Sequence, residues 1–324
     1  MTKDQGLVTA FLLDGTGCGH PMSWEDIRAW QQSAGISWVH LNRNADNAQR
    51  WLQEESGLDA LVVESLLAES TRPRCVSIGD GVMLFLRGVN LNPGADPEDM
   101  VSIRLWVEPT RIISVRTRRL LSIDDLKGSL ERGTGPRSTG EFVAQLADHL
   151  VSRVSDITGD IDDEVDRLQD LVLESEERQL RNDLTRLRRE IIALRRYLAP
   201  QRDALNRLSQ IKPAWLTDMD NLHVREEADR VVRLVEDLDS ARERAAVTQE
   251  ELNSRLAEQM NQRMYVLSIV AAIFLPLGFL TGLFGINVGG MPLADDPLGF
   301  WEIVLLLIVI TAALIVIFRW RRWF

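Results

Sequence analysis

From Met264 to Ala294 the chain carries no formal charge, and Met264 to Phe284 is almost wholly apolar. About 20 such residues, rising ~1.5 Å each as a helix, cross the ~30 Å hydrocarbon core of a bilayer. A second charge-free run, Ile303 to Phe318, lies between Glu302 and Arg319. In lipid every backbone polar group must be satisfied internally, and two isolated runs achieve that only as helices. The expected layout is a large N-terminal body on a C-terminal transmembrane hairpin. Its spans are 264–284 and 300–318, its loop 285–299 and its basic tail 319–324.

Flanking bases orient the hairpin. Arg255 and Arg263 precede the first span, and Arg319, Arg321 and Arg322 follow the second. The loop has no Lys or Arg and contains Asp295 and Asp296. The positive-inside rule therefore predicts both termini in the cytoplasm and the loop outside, with Trp301, Trp320 and Trp323 at the interfaces. No secretory signal is read at the start, because Asp14 ends the first apolar run, Leu7 to Leu13. The net charge of −11 argues against nucleic acid as a partner. Two cysteines, Cys18 and Cys75, make no disulfide framework, which suits a reducing cytosol.

The body divides by pattern into 1–137 and 138–263. In the first part Val8 to Leu13 and Ile36 to Leu41 read as strands. Ser23 is expected to cap a helix running to Ser33, and Asn44–Glu55 and Leu58–Glu69 read as helices. Val76 to Val89 reads as a hairpin turning near Gly79-Asp80-Gly81, and Val101–Val107 pairs with Arg111–Val115. Interleaved helices and antiparallel pairs predict a mixed α/β domain. Beyond Ser138 the pattern is helical: Glu141–Glu174, Arg178–Gln210 and Asn221–Phe284. The last would run about 95 Å at ~1.5 Å per residue, with no breaker between Leu256 and Leu275. Apolar residues from Val224 to Leu256 recur at spacings of three and four, so it needs partners along that stripe. Such continuity would carry motion from the body directly into the membrane.

One face of the first span collects small and mildly polar residues: Asn261, Met264, Leu267 or Ser268, Ala271, Leu275, Gly278 and Gly282. Two readings stand side by side, close helix packing or a pore lining. One helix encloses nothing, so a pore demands a cyclic homo-oligomer. Gly285-Ile286-Asn287 follows the span. It reads either as a helix C-cap or, in a ring, as amide oxygens offered to a hydrated cation.

The tripeptide after a proline-containing span, then a short loop and a second span ending in bases, resembles the CorA-type divalent cation transporters. Their usual tripeptide is Gly-Met-Asn; the zinc-transporting ZntB branch tolerates Ile. Trp38-Val-His-Leu41, Glu69-Ser-Thr-Arg-Pro-Arg74, Ala199-Pro-Gln-Arg-Asp203 and Phe279 to Gly290 are similar to that branch. The resemblance implies a homopentameric funnel in the inner membrane. The first span of each subunit would line a central pore, with Gly285, Ile286 and Asn287 at its entrance. Asn261, Met264, Leu267, Ala271, Leu275 and Gly278 would line it, with Met264 and Leu267 at a constriction. It also implies zinc uptake, coupled to protons.

Composition limits the chemistry. Zinc favours Cys and His, and neither spans nor loop contain one, so zinc preference rests on the resemblance alone. The pore carries no charge, so a divalent ion would pass with much of its water. Asp295 and Asp296 would either concentrate cations outside or form a solvated loop. The spans hold no intramembrane carboxylate or histidine to carry a proton. In the body, Asp156, Asp160 and Glu164 recur every four residues and read as a solvated face or a cation site, with Arg195, Arg196, Arg202 and Arg207 expected to pair with them. Cys18-Gly19-His20 pairs two soft metal ligands but reads better as a glycine-rich turn after a strand. No catalytic triad, nucleotide loop or resident cofactor motif is present, so an enzyme is not expected. Rival readings are a magnesium, cobalt or nickel channel, and a membrane-anchored scaffold or sensor without a pore.

Overall fold

The computed structural model describes residues 6–69, 71–174, 178–286 and 297–320. They form two compact units, Met1–Gln249 and Glu250–Phe324.

In the first unit seven strands make one sheet: β1 (Leu7–Leu13), β2 (Gly19–Pro21), β3 (Ile36–Asn42), β4 (Arg74–Ile78), β5 (Gly81–Gly88), β6 (Val101–Val107) and β7 (Arg111–Arg116). Their order is β2-β1-β3-β7-β6-β5-β4. Only β3 and β7 run parallel among neighbouring pairs, Trp38 opposite Ile112 and His40 opposite Ser114. The β4–β5 hairpin closes with Ile78 opposite Gly81, and Gly79 takes the left-handed φ of 58° that its tight turn requires.

Helix α1 (Trp24–Ala29) starts at the Ser23 capping box, with Asp26 as the reciprocal partner. It ends earlier than Ser33, because Trp30 is extended and donates its indole N–H to the Gly35 carbonyl at 3.2 Å; Gln32–Ala34 forms a separate 3₁₀ turn. The segment predicted as one helix over 44–55 is α2 (Asp46–Arg50) continuing into a π turn, Trp51–Glu55. Helix α3 (Ala60–Leu67) is shorter than 58–69 at both ends. Asp59 caps its start, and Arg104 and Arg43 bond the carbonyls of Leu66 and Ala68 at its end. Helix α4 (Leu121–Glu131), unassigned from sequence, buries Ile123, Leu126 and Leu130.

Three long helices follow: α5 (Thr139–Glu174), α6 (Arg178–Ile211) and α7 (Asp218–Phe284). Two residues of the resemblance motifs, Trp38 and Gln201, tie these helices to the sheet. Trp38, fully buried, meets Phe142 of α5 edge-on at 4.9 Å and donates to Ser114 Oγ at 2.8 Å. Gln201 of α6, 1 % exposed, accepts from the β5 backbone at Arg87 (2.6 Å). Thr71 bonds Ser102 of β6 at 3.0 Å. The predicted stripe of α7 is buried from Val224 to Leu252.

Candidate ion pathway

The second unit contains the membrane-length part of α7 and helix α8 (Gly299–Trp320). Both are long and apolar enough to cross a bilayer, with mean hydropathies of 2.3 and 2.9 over their most apolar stretches. Ile269 is buried, and Ile273, Leu277, Leu280 and Phe284 are half-buried; on α8 the half-buried residues are Ile303, Val304, Leu307, Ile310, Thr311, Leu314 and Phe318. These rows follow the three-and-four rhythm of a helix seam. Leu277 shares an apolar groove of about 450 Å³ with Val304, Leu307 and Thr311, so that row of α7 looks toward α8.

The small-residue stripe lies on the other side. Leu267, Ala271, Leu275 and Gly278 each sit two positions before a seam residue, which at 3.6 residues per turn is roughly 200° around the helix. All six stripe residues from Asn261 to Gly278 are exposed, Leu275 at 72 %. A Cβ added at Gly278 or Gly282 would meet nothing within 4 Å. The small residues therefore do not serve packing against α8. Ser268 and Thr281 turn their hydroxyls onto their own helix, at Met264 O (2.8 Å) and Leu277 O (3.0 Å). Pro276 has no N–H for the Ala272 carbonyl, yet the helix continues through it.

At the helix end the Gly285 N–H bonds the Thr281 carbonyl at 3.0 Å. Gly285 is not among the left-handed glycines, so this is no Schellman cap; a Cβ there would press on the Thr281 oxygen at 3.1 Å. Ile286 is exposed. Asn287, Asp295 and Asp296 lie outside the described residues.

In the first unit Asp156 and Asp160 are exposed, while Glu164 is paired with Arg167 at 2.7 Å, which holds its carboxyl below the usual range. The expected arginine partners go elsewhere. Arg195 meets Asp239 at 2.7 Å, Arg202 meets its neighbour Asp203, Arg196 lies over Tyr197, and Arg207 lies near Cys75. Further along α5, Asp162 and Asp166 do reach another helix, both held by Arg244 of α7. They stand roughly 200° around α5 from Asp160 and Glu164, since each is two residues further on.

Sequence reasoning missed an acid-rich groove of about 540 Å³ between α5 and the head of α7. Its acids are already engaged. Arg230 bonds Asp148 and Glu227 at 2.9 Å, Thr217 bonds Asp220 at 2.7 Å, and the Arg137 N–H bonds Glu141 at 2.8 Å. Burial pushes the Glu227 carboxyl up despite that pairing. Among the described residues no group of three or more His, Cys, Asp or Glu side chains is arranged to hold a metal ion.

The family model of the CorA-like Mg2+ transporter protein matches residues 33–322. The chain belongs to this family. The divalent cation transporter CmaX of Pseudomonas aeruginosa is 41 % identical over 99 % of this chain and 97 % of its own. The zinc transport protein ZntB of Pectobacterium carotovorum is 36 % identical, with the same two shares. A solved structure of full-length CmaX superposes with a TM-score of 0.87 at 40 % identity, covering 99 % of both chains. The complete CorA magnesium transporter of Methanocaldococcus jannaschii shares the fold, with a TM-score of 0.80 at 21 % identity over 96 % of this chain and 98 % of that one. The fold class expected from sequence, an α/β N-terminal domain followed by long helices and two C-terminal apolar helices, is the fold of this family.

Proposed function

We propose that this CorA-family chain carries divalent metal cations across the inner membrane through a central pore, with zinc as preferred cargo. It is a transporter, not an enzyme. The observation that carries the pathway is the charge-free stripe left bare on the side of α7 turned away from α8. A bare stripe of small residues in lipid needs a partner, and one helix cannot surround an ion. A cyclic homopentamer answers both needs, with five copies of α7 ringing the axis and α8 toward lipid. Both termini are cytoplasmic in this reading, following the flanking arginines.

Gly285, Ile286 and Asn287 form the outer entrance, where amide oxygens read a cation through its water shell. Rings of Asp295 and Asp296 raise the local cation concentration, an effect screened within about 8 Å at physiological salt. Asp156, Asp160 and Glu164, as a solvated face, add only a weak field. The long unbroken α7 links the cytoplasmic body to the gate. Asn287→Ala is expected to cut zinc flux into proteoliposomes at least tenfold, about 1.4 kcal/mol at the entrance; wild-type flux would remove the entrance assignment.

A broad divalent pore is the second reading. It is favoured by the 41 % identity to CmaX, a divalent cation transporter, against 36 % to the ZntB relative. Competition of magnesium, cobalt and nickel with zinc in the same assay separates the two. Zinc uptake driven by an inward proton gradient is the expectation for a coupled transporter; indifference to the gradient would leave a simple channel.

A further inference from the structure

Between Met264 and Gly282, three side chains of α7 carry an oxygen: Tyr265, Ser268 and Thr281. Tyr265 stands four residues before the buried Ile269, and Thr281 stands four after the half-buried Leu277. Residues four apart share a helix face, so both lie beside the row that looks toward α8. Ser268 belongs to the other side. It stands four residues after Met264, three before Ala271 and seven before Leu275, and it is exposed as they are. It is the one side-chain oxygen on the bare row of this stretch.

The state of its hydroxyl narrows what it can meet. Ser268 Oγ donates to the Met264 carbonyl of its own helix at 2.8 Å. A hydroxyl has one proton to give and two lone pairs to offer. With the proton spent, the exposed oxygen is left as an acceptor only. Water around a cation turns its oxygens to the ion and its hydrogens outward. An acceptor on an apolar wall therefore matches the outer surface of a hydrated cation. The neighbouring Met264, Leu267, Ala271 and Leu275 side chains offer the shell no comparable acceptor.

We propose that Ser268 is a cation-facing group of the pathway, accepting hydrogen bonds from the water shell of a divalent ion in mid-span. This rests on the pore reading above and adds a polar contact to a wall otherwise apolar from Met264 to Leu275. Apolar constrictions gate by losing water. Five Ser268 oxygens, about 6 Å along the helix from Met264, hold the shell together where the wall would shed it. A hydroxyl that served only its own helix would be dispensable, since such back-bonding slightly destabilises a helix.

The test is zinc flux into proteoliposomes containing the full chain. Ser268→Ala and Ser268→Val are expected to cut flux about fivefold, the worth of one hydrogen bond. Ser268→Thr, which has the shape of Val but keeps the oxygen, is expected to restore it. Melting temperature and particle mass in detergent show that each variant is folded and assembled, and flux is compared per assembled particle. Wild-type flux in both the Ala and Val chains, or a Thr chain as slow as the Val chain, overturns the proposal. If Asn287→Ala is still impaired beside that result, the pathway itself stands without Ser268. Absence of zinc flux in the wild-type chain removes both.

Discussion

At the scale of single residues, the fully buried His40 couples stability to pH. Its Nδ1 lies 2.8 Å from Ser114 Oγ, and its Nε2 has no protein partner. Burial first, and the nearby Arg116 charge second, push its pKa down to about 3. The unfolded imidazole keeps its ordinary pKa near ~6.5. Below that value the unfolded chain binds a proton that the fold refuses, so stability declines as pH falls from about 6.5 toward 3. At pH 5 the loss from this one group is about 2 kcal/mol. His40→Asn, whose side-chain amide can keep a bond to Ser114, should lose this part of the slope. Melting temperatures of both chains at pH 7 and pH 5 check it; equal slopes would refute the assignment. The Trp38-Val-His-Leu41 stretch was legible as part of a strand, but its role as the anchor of α5 was not. That role depends on Ser114 and Phe142, which lie 76 and 104 positions away from Trp38.

Among elements, helix periodicity was the strongest signal. The long helices, the two hydrophobic spans and the β4–β5 hairpin follow directly from spacing and turn residues. Helix ends were less legible, because the capping of α3 by Arg43 and Arg104 comes from contacts distant in sequence, while α1 exits early at Trp30, which is extended and bonds Gly35. Ion pairing was misread for a similar reason. A four-residue rhythm marks a face of α5, but nothing local says whether that face meets α7 or water. Arg244→Ala should separate Asp162 and Asp166 from α7. These side chains are one-third to two-thirds exposed, so the expected loss is about 0.5–1 kcal/mol at low salt, fading as salt rises. Urea or thermal unfolding at two ionic strengths measures it, and a salt-independent loss would point to packing instead.

For the whole molecule, the division of labour on α7 is the central result. One side faces α8, the opposite side from Met264 to Gly278 is exposed and uncharged, and we propose that copies of the chain close around it. The stripe was legible in the sequence; the seam with α8 adds that it does not pack against α8, and its role as a pore lining is what we propose. A solubilised particle five times the 36.7 kDa of one chain is the expected mass. A monomer in mild detergent would favour the tethered scaffold. The most direct measurement is cysteine substitution from Met264 to Thr281 in a background free of Cys18 and Cys75, probed with a water-soluble thiol reagent during zinc flux. The account predicts reaction and block at Met264, Leu267, Ala271, Leu275 and Gly278, with Ile269, Ile273, Leu277 and Leu280 unreactive. Reaction on the α8-facing row, or protection along the small-residue stripe, would contradict it.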